Sequence, residues 1–429
     1  MILLFPFILG LLFILTSLYV WRRSFVFFLF YSLLFVYTFF TQLGYLFYPV
    51  KLSAESNFQY YSEGIFFSYW IYIFLSFVSI FLIFIIFYDK KYKPLLKIEI
   101  RPSPKKNSDP LYIILILFYE IISIFFLVKN YGNLNYFNRN ALNENKIWLF
   151  LFSLSGIVLL STFYKIIMER SRKKRIFYFV LFFSLFSIFS ITAIKSGQRI
   201  EVAMAILAFI VSLWYLFQSK IMRLRLKHIF LILLICFIGI SIIQGIKATR
   251  GDKSSLTEFF HALKDPRAYL TLFSPQKMIF QDWSTPSVSL MASMKKHVIS
   301  PSEVIKSNLT CLIPFVNHKA LGNVVAKIAE TGGIGFYILT EGYNFIGFIG
   351  FLYSTFILVI GWWFLESFFT NTNDKFFNSY MFGTMGFLVF EIVRGQSMMF
   401  LKGLYLYFLP AVILFLLISN KKIYLVEKT

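Results

Sequence analysis

Apolar runs of about 20 residues, separated by short basic segments, recur from one end of the chain to the other. A run of that length is what an α-helix needs to cross the hydrocarbon core of a bilayer. No water reaches the backbone there, so every peptide group must be satisfied within the segment. The expected spans are residues 2–20, 25–47, 65–88, 111–128, 147–168, 176–194, 200–217, 229–246, 345–368, 381–393 and 400–418. The run at 381–393 is short and holds Glu391, so a tilted, broken or partly re-entrant segment is expected there. The implied fold class is an all-α polytopic membrane protein with about eleven transmembrane helices.

Composition agrees with this reading and removes its main competitor. Hydrophobic residues make up 58% of the 429 and charged residues only 14%, too little polar surface for one large soluble core. The 57 Phe residues accompany abundant Ile, Asn, Lys and Tyr, types that AT-rich codons encode, and need no functional explanation. A net charge of +22 suggests nucleic acid as a partner, but the cations sit beside apolar runs, where they orient helices and face anionic lipid. Membrane lipids are therefore the expected partner and nucleic acid is not. Cys236 and Cys311 give neither a disulfide framework nor a metal-ligand spacing.

Lys and Arg also set the orientation. Arg22 and Arg23, the cluster from Lys90 to Lys106, Arg170 to Arg175, Lys220 to Lys227, and Lys421 with Lys422 alternate as one side should, and they are assigned to the cytoplasm. The N-terminus is then outside and the C-terminus inside. The outer connections are 51–64, 129–146, 195–199, 247–344 and 394–399, of which 247–344 is by far the largest. Ser255 and Glu258 form a capping box that opens an amphipathic stretch to Leu263, and Pro266, Pro275, Pro286, Pro301 and Pro314 punctuate the remainder. This segment reads as short helices lying over the membrane mouth within a single integral membrane domain, 1–429. No fixed-period repeat and no inverted halves are visible.

The informative residues are cations on the outer face, where the charge rule disfavours them. Lys195 and Arg199 lie in the turn KSGQR, Lys247 and Arg250 follow the eighth span in KATRG, and Arg394 and Lys402 flank the last outer turn. A charge near the hydrocarbon costs about 2.5–3.5 kcal/mol on insertion scales, so its retention suggests a bound anion. The guanidinium fork suits phosphate, and Arg199, Arg250 and Arg394 from three hairpins are expected to converge on one anionic group. The bland reading is that each one snorkels to lipid phosphate at its own helix end.

Among the acids, Glu120 lies mid-span, where a helix-packing hydrogen bond is the expected role; Glu391 stands three residues before Arg394, close enough to pair on one helix face. His228 opens a helix on the cytoplasmic side, whereas His261, His297 and His318 fall in the large outer segment, where a histidine can take a hydroxyl proton near neutral pH. The outer stretch 129–146 interleaves Asn with aromatics; Asn135, Tyr136 and Arg139 are its candidate glycan-binding residues, against the plainer reading of a polar loop. No HExxH, clustered His and Cys, GxSxG or phosphate-binding glycine loop is present, so neither metal nor cofactor is expected.

Residues 317–351 carry the pieces AETGGIG, at 329–335, and TEGYNFIGFIG, at 340–350. This stretch resembles the end of the large outer loop in bacterial O-antigen polymerases, which belong with O-antigen ligases and related bactoprenol-linked glycan polymerases. SGQR at 196–199 resembles the same family, as does the plan of ten to fourteen spans with one large periplasmic loop late in the chain. The resemblance implies a GT-C-like glycosyltransferase of the bacterial inner membrane that joins oligosaccharide repeat units carried on undecaprenyl pyrophosphate. Arg199, Arg250 and Arg394, with Lys195 and Lys247, would hold the leaving pyrophosphate at the periplasmic face. His318 is the candidate base for the acceptor hydroxyl, with Asp282 and Glu341 behind it. A chain-length regulator is an expected partner by resemblance alone. A flippase for lipid-linked oligosaccharides should show two related halves and charges along a path across the membrane, whereas these charges gather on one face. A ligase differs in its acceptor, and its histidine motif is not cleanly met.

Overall fold

A computed structural model of the chain describes residues 4–47, 63–89, 96–102, 109–130, 146–196, 199–222, 239, 264, 285–296, 299–312, 338–393, 397–419 and 421–427. Their helices are α1 (Leu4–Arg23), α2 (Phe25–Phe47), α3 (Glu63–Asp89), α4 (Asp109–Asn130), α5 (Lys146–Met168), α6 (Arg172–Ser196) and α7 (Arg199–Gln218). After them come α8 (Thr285–Lys296), α9 (Pro301–Leu312), α10 (Ile338–Ile346), α11 (Gly350–Phe369), α12 (Lys375–Val393) and α13 (Met399–Ser419), the last with a π-helical turn at Leu404–Phe408. Nine helical stretches among the described residues are long and apolar enough to cross a membrane, as a polytopic α-helical membrane protein requires. The expected span 229–246 lies outside the described residues except for Gly239, and so do the Ser255–Glu258 capping box and the glycines of 329–335.

The span helices are built inside out relative to soluble ones. On α4, Leu111, Ile114, Phe118, Ile121, Phe125 and Val128 point outward while Tyr112, Ile116, Glu120, Ser123 and Leu127 are buried. Both stripes follow helical spacing, with the larger apolar side chains outside, as lipid demands. Glu120 accepts a hydrogen bond from the Ser184 hydroxyl of α6, so it serves helix packing as expected.

α12 departs from the expectation of a short or broken span. It is continuous over 19 residues and starts six residues earlier than the apolar run does. Asp374 explains the start: its Oδ1 accepts from the amides of Phe376 at 2.9 Å and Phe377 at 3.2 Å, capping the helix. The low apolarity reflects burial against protein. In the 18-residue window that marks this span, 82% of residues are buried, so small and polar residues face neighbouring helices instead of lipid. A Cβ on Gly383 would lie 1.8 Å from Ser212 Oγ, and one on Gly386 would lie 2.7 Å from Ala208 Cα, so α7 approaches at backbone distance.

The chain divides into two compact units. The first holds Met1–Lys93, Leu272–Leu365 and Leu388–Lys402, and thus α1–α3, α8–α10, most of α11 and the Ser397 turn. In it, Arg23 at the end of α1 pairs with Asp89 at the end of α3 at 2.8 Å. The second holds Pro94–Thr271, Glu366–Phe387 and Gly403–Thr429. It contains an element the sequence reading did not foresee. Strand β1 (Leu96–Pro102) pairs antiparallel with β2 (Lys421–Glu427), with Glu99 opposite Tyr424. Asn373 ties the connection before α12 to this ribbon, accepting from the Ile100 amide at 2.8 Å and donating to its carbonyl at 2.9 Å. Strands can pair only if they emerge on one side of a membrane. The basic segments at Lys97–Arg101 and Lys421–Lys422 therefore share a face, as their charge led us to expect. The fourth through the eleventh expected spans lie between them, an even number, as this requires.

The second unit also carries a buried ion cluster. Lys165 Nζ donates to Asp109 Oδ1 at 2.6 Å, and the partly exposed Lys174 reaches Oδ2 at 3.0 Å. Lys165 is buried in the last turn of α5 with its ammonium 5.4 Å from the Tyr178 ring centre. Glu169 Oε2 lies 3.9 Å from the same ammonium, so two carboxylates and the ring compensate Lys165 where it is buried.

Candidate functional site

Of the expected site residues, Glu341 is the one whose surroundings the structure gives in full. His318, Asp282, Arg250, Lys247, Arg394, Asn135, Tyr136 and Arg139 lie outside the described residues. Lys195 is in the last turn of α6, where its charge complements the helix C-terminus, and Arg199 is the first residue of α7.

The TEGYNFIGFIG stretch folds back on itself. α10 ends at Ile346, a 3₁₀ turn covers Gly347–Ile349, and α11 begins at Gly350. In one straight helix residues 338 and 354 would lie about 24 Å apart. Here the Ser354 hydroxyl donates to the Ile338 carbonyl at 3.2 Å. A Cβ on Gly342 would lie 2.1 Å from the Gly350 carbonyl oxygen, and one on Gly350 would lie 1.9 Å from that of Gly342. Both pairs are centred on residue 346, so α10 runs antiparallel against the start of α11. Gly347 makes the reversal with φ +71°, a conformation that favours glycine. Gly342 and Gly350, which lack a Cβ, permit this close helix approach.

α3 braces this hairpin. The Tyr72 hydroxyl donates to the Leu339 carbonyl at 3.0 Å. Its ring stands edge-on to those of Tyr343, Phe348 and Phe351, with centroids 5.7, 5.7 and 6.0 Å away.

Glu341 sits on α10, fully buried. Its Oε1 accepts from Asn308 Nδ2 of α9 at 2.7 Å, from the Ser397 hydroxyl at 2.7 Å and from the Tyr353 hydroxyl of α11 at 3.2 Å. Its Oε2 accepts from the Ser397 amide at 2.7 Å. No Lys or Arg among the described residues pairs with it. Hydrogen-bond donors from α9, α11 and the turn before α13 therefore carry the electrostatic compensation. Beside it, Asn344 donates to Ser293 Oγ of α8 at 2.9 Å and to the Thr340 carbonyl at 2.9 Å, and Ser289 shares a hydrogen bond with Thr340 at 2.9 Å. Ser287, next along α8, donates to the Tyr37 carbonyl of α2 at 3.1 Å.

α8 and α9 fall inside the segment expected to lie over the membrane mouth. α8 is packed against α2, α3 and α10, with every side chain from Ser287 to Ala292 buried. Its serines point at polar atoms of those helices, and Val288, Leu290 and Met291 fill the space between.

Chemically, the cluster fixes geometry. A carboxylate saturated on one oxygen and bonded to a backbone amide on the other anchors whatever it holds, and it holds Ser397, three residues after Arg394 in sequence. Asn308, Tyr353, Ser397, Asn344 and Ser293 were not singled out from sequence. Asn344 had the one available signal, standing three residues after Glu341 on the same helix face.

Neither protein-family models, nor curated proteins, nor solved structures give a match to this chain. Fold and site together define a class, a multi-pass α-helical membrane protein with a folded-back helix around a buried carboxylate.

Proposed function

We propose that this protein is a polymerase of lipid-linked oligosaccharide repeat units, of the O-antigen polymerase kind, in a bacterial inner membrane. Undecaprenyl pyrophosphate leaves as the growing chain is transferred to the outer sugar of a new unit. One observation carries this reading: the TEGYNFIGFIG stretch on which the resemblance rests is also where buried polar atoms of the first unit gather. Arg199, Arg250 and Arg394 are the proposed clamp for the pyrophosphate, with Lys195 and Lys247 beside them. Glu341 has the role of a positioning residue, holding the Ser397 turn rather than taking a proton. His318 and Asp282 are left as the candidate bases.

The N-terminus is periplasmic and the C-terminus cytoplasmic in this reading, and a chain-length regulator is the proposed partner. The GT-C-like architecture belongs to the same proposal. Alanine at Arg199 or Arg250 is expected to shorten the polysaccharide while the protein still inserts at normal abundance. Lysine at either position restores charge but not the fork, so it restores length only in part. Long chains of normal distribution from both alanine variants would reject the clamp.

A flippase is the second reading, favoured by the folded-back α10, because helices broken around buried polar groups recur in transporters.

A further inference from the structure

The polar shell of Glu341 is incomplete in one direction. Asn308 and Asn344 are 4% and 5% exposed, and the side-chain oxygen of each has no hydrogen-bond partner. Their orientation is not interchangeable. Asn308 must present its NH₂ to the carboxylate of Glu341, and Asn344 must present its NH₂ to the Thr340 carbonyl, because both are pure acceptors. Each amide therefore leaves its carbonyl oxygen unused. The two meet α10 within one turn, Asn308 at Glu341 and Asn344 three residues on. Glu341 Oε2 accepts one hydrogen bond, from the Ser397 amide, and has a second lone pair in hand.

Along α10 there are thus a carboxylate and two unpartnered amide oxygens, all acceptors, without an ion pair to Glu341 among the described residues. Buried acceptors left unmet are costly, and a carboxylate in a membrane protein's interior marks a functional position by default. A ligand that answers them brings positive charge or hydrogen-bond donors, and it must be small, because Glu341 is fully buried. One carboxylate is too little charge for a calcium site, and no trio of His, Cys, Asp or Glu suited to a transition metal exists among the described residues. Neutral oxygens with one carboxylate, beside a broken helix, are the donor set of a monovalent alkali cation.

We infer that Glu341, Asn308 and Asn344 bind a monovalent alkali cation at the α9–α10 seam. The inference stands apart from the polymerase reading and survives its failure. Cation binding there couples the α10–α11 hairpin to the Ser397 turn, since both converge on Glu341.

The test is thermal unfolding of the purified full chain in detergent, in sodium chloride, potassium chloride and choline chloride at equal ionic strength. Sodium or potassium is expected to raise the midpoint saturably over choline. Asn344→Ala leaves all four donors to Glu341 in place and is expected to weaken the apparent affinity at least tenfold. Glu341→Gln abolishes the response. Equal midpoints for the unsubstituted protein in all three salts would mean that water alone fills the seam and would overturn the inference, with no variant needed. A response that persists unchanged in Asn344→Ala and Glu341→Gln would place the cation elsewhere and overturn it as well.

Discussion

At the scale of the residue, two positions decide whether the hairpin forms. Glu341 is the shared acceptor of three side chains and one amide, so Glu341→Ala leaves buried donors on Asn308 and Ser397 unmet. Each unmet donor costs about 1–3 kcal/mol, and the variant is expected to lose several kcal/mol in detergent unfolding. An unfolding midpoint within a degree of the unsubstituted protein would contradict the shell. Gly347 adopts φ +71°, and Gly347→Ala is expected to cost about 1–2 kcal/mol by the same measurement. Asp109 belongs here too. Removing it leaves the buried Lys165 the more distant Glu169 at 3.9 Å and the Ile418 carbonyl at 3.4 Å, so Asp109→Ala is expected to cost about 3 kcal/mol, and adding Lys165→Met should recover most of it. The sequence pointed to Glu341 as an acid near a glycine-rich turn, but not to its partners. Asn308 and Ser397 lie 33 and 56 residues away, and no local pattern connects them. Lys165 was not singled out from sequence, because nothing in α5 announces the Asp109 that pairs with it.

At the scale of the element, helices were legible where apolar runs are long. The runs at 25–47, 111–128 and 200–217 are recovered as α2, α4 and α7 with ends shifted by two residues or fewer. Hydropathy failed where burial in protein replaces burial in lipid. α12 was foreseen as short because its apolar run covers only 381–393 and holds Glu391, yet the helix starts at Lys375, with Ser379 donating to the Ser212 carbonyl of α7 and Gly383 close against the Ser212 side chain. Ser287, Ser289 and Ser293 of α8 were not singled out from sequence, and their hydroxyls bond α2 and α10. The β1–β2 ribbon escaped because each strand is short and its partner lies more than 300 residues away in sequence. It gives a direct check. Glu99 and Tyr424 are opposed in register, so Glu99→Cys with Tyr424→Cys should form an intrachain disulfide on mild oxidation. A protease site engineered between them would then yield fragments that separate only after reduction. Fragments that separate without reduction would contradict the ribbon.

At the scale of the whole molecule, charge and hydropathy agree with the strand pairing on which segments share a face, and function enters as a proposal on top of that. Cysteines at Arg101 and Lys422 should react together with a membrane-impermeant thiol reagent, from the cytoplasmic side only. Labelling of one from each side would break the pairing and the topology at once. The polymerase reading faces its most direct test in a strain that makes long O-antigen, with this gene deleted and its lipopolysaccharide resolved on a gel. The account predicts that the ladder collapses to core bearing a single repeat unit. Core without any repeat would point to a flippase or ligase, and an unchanged ladder would remove the protein from polysaccharide assembly altogether.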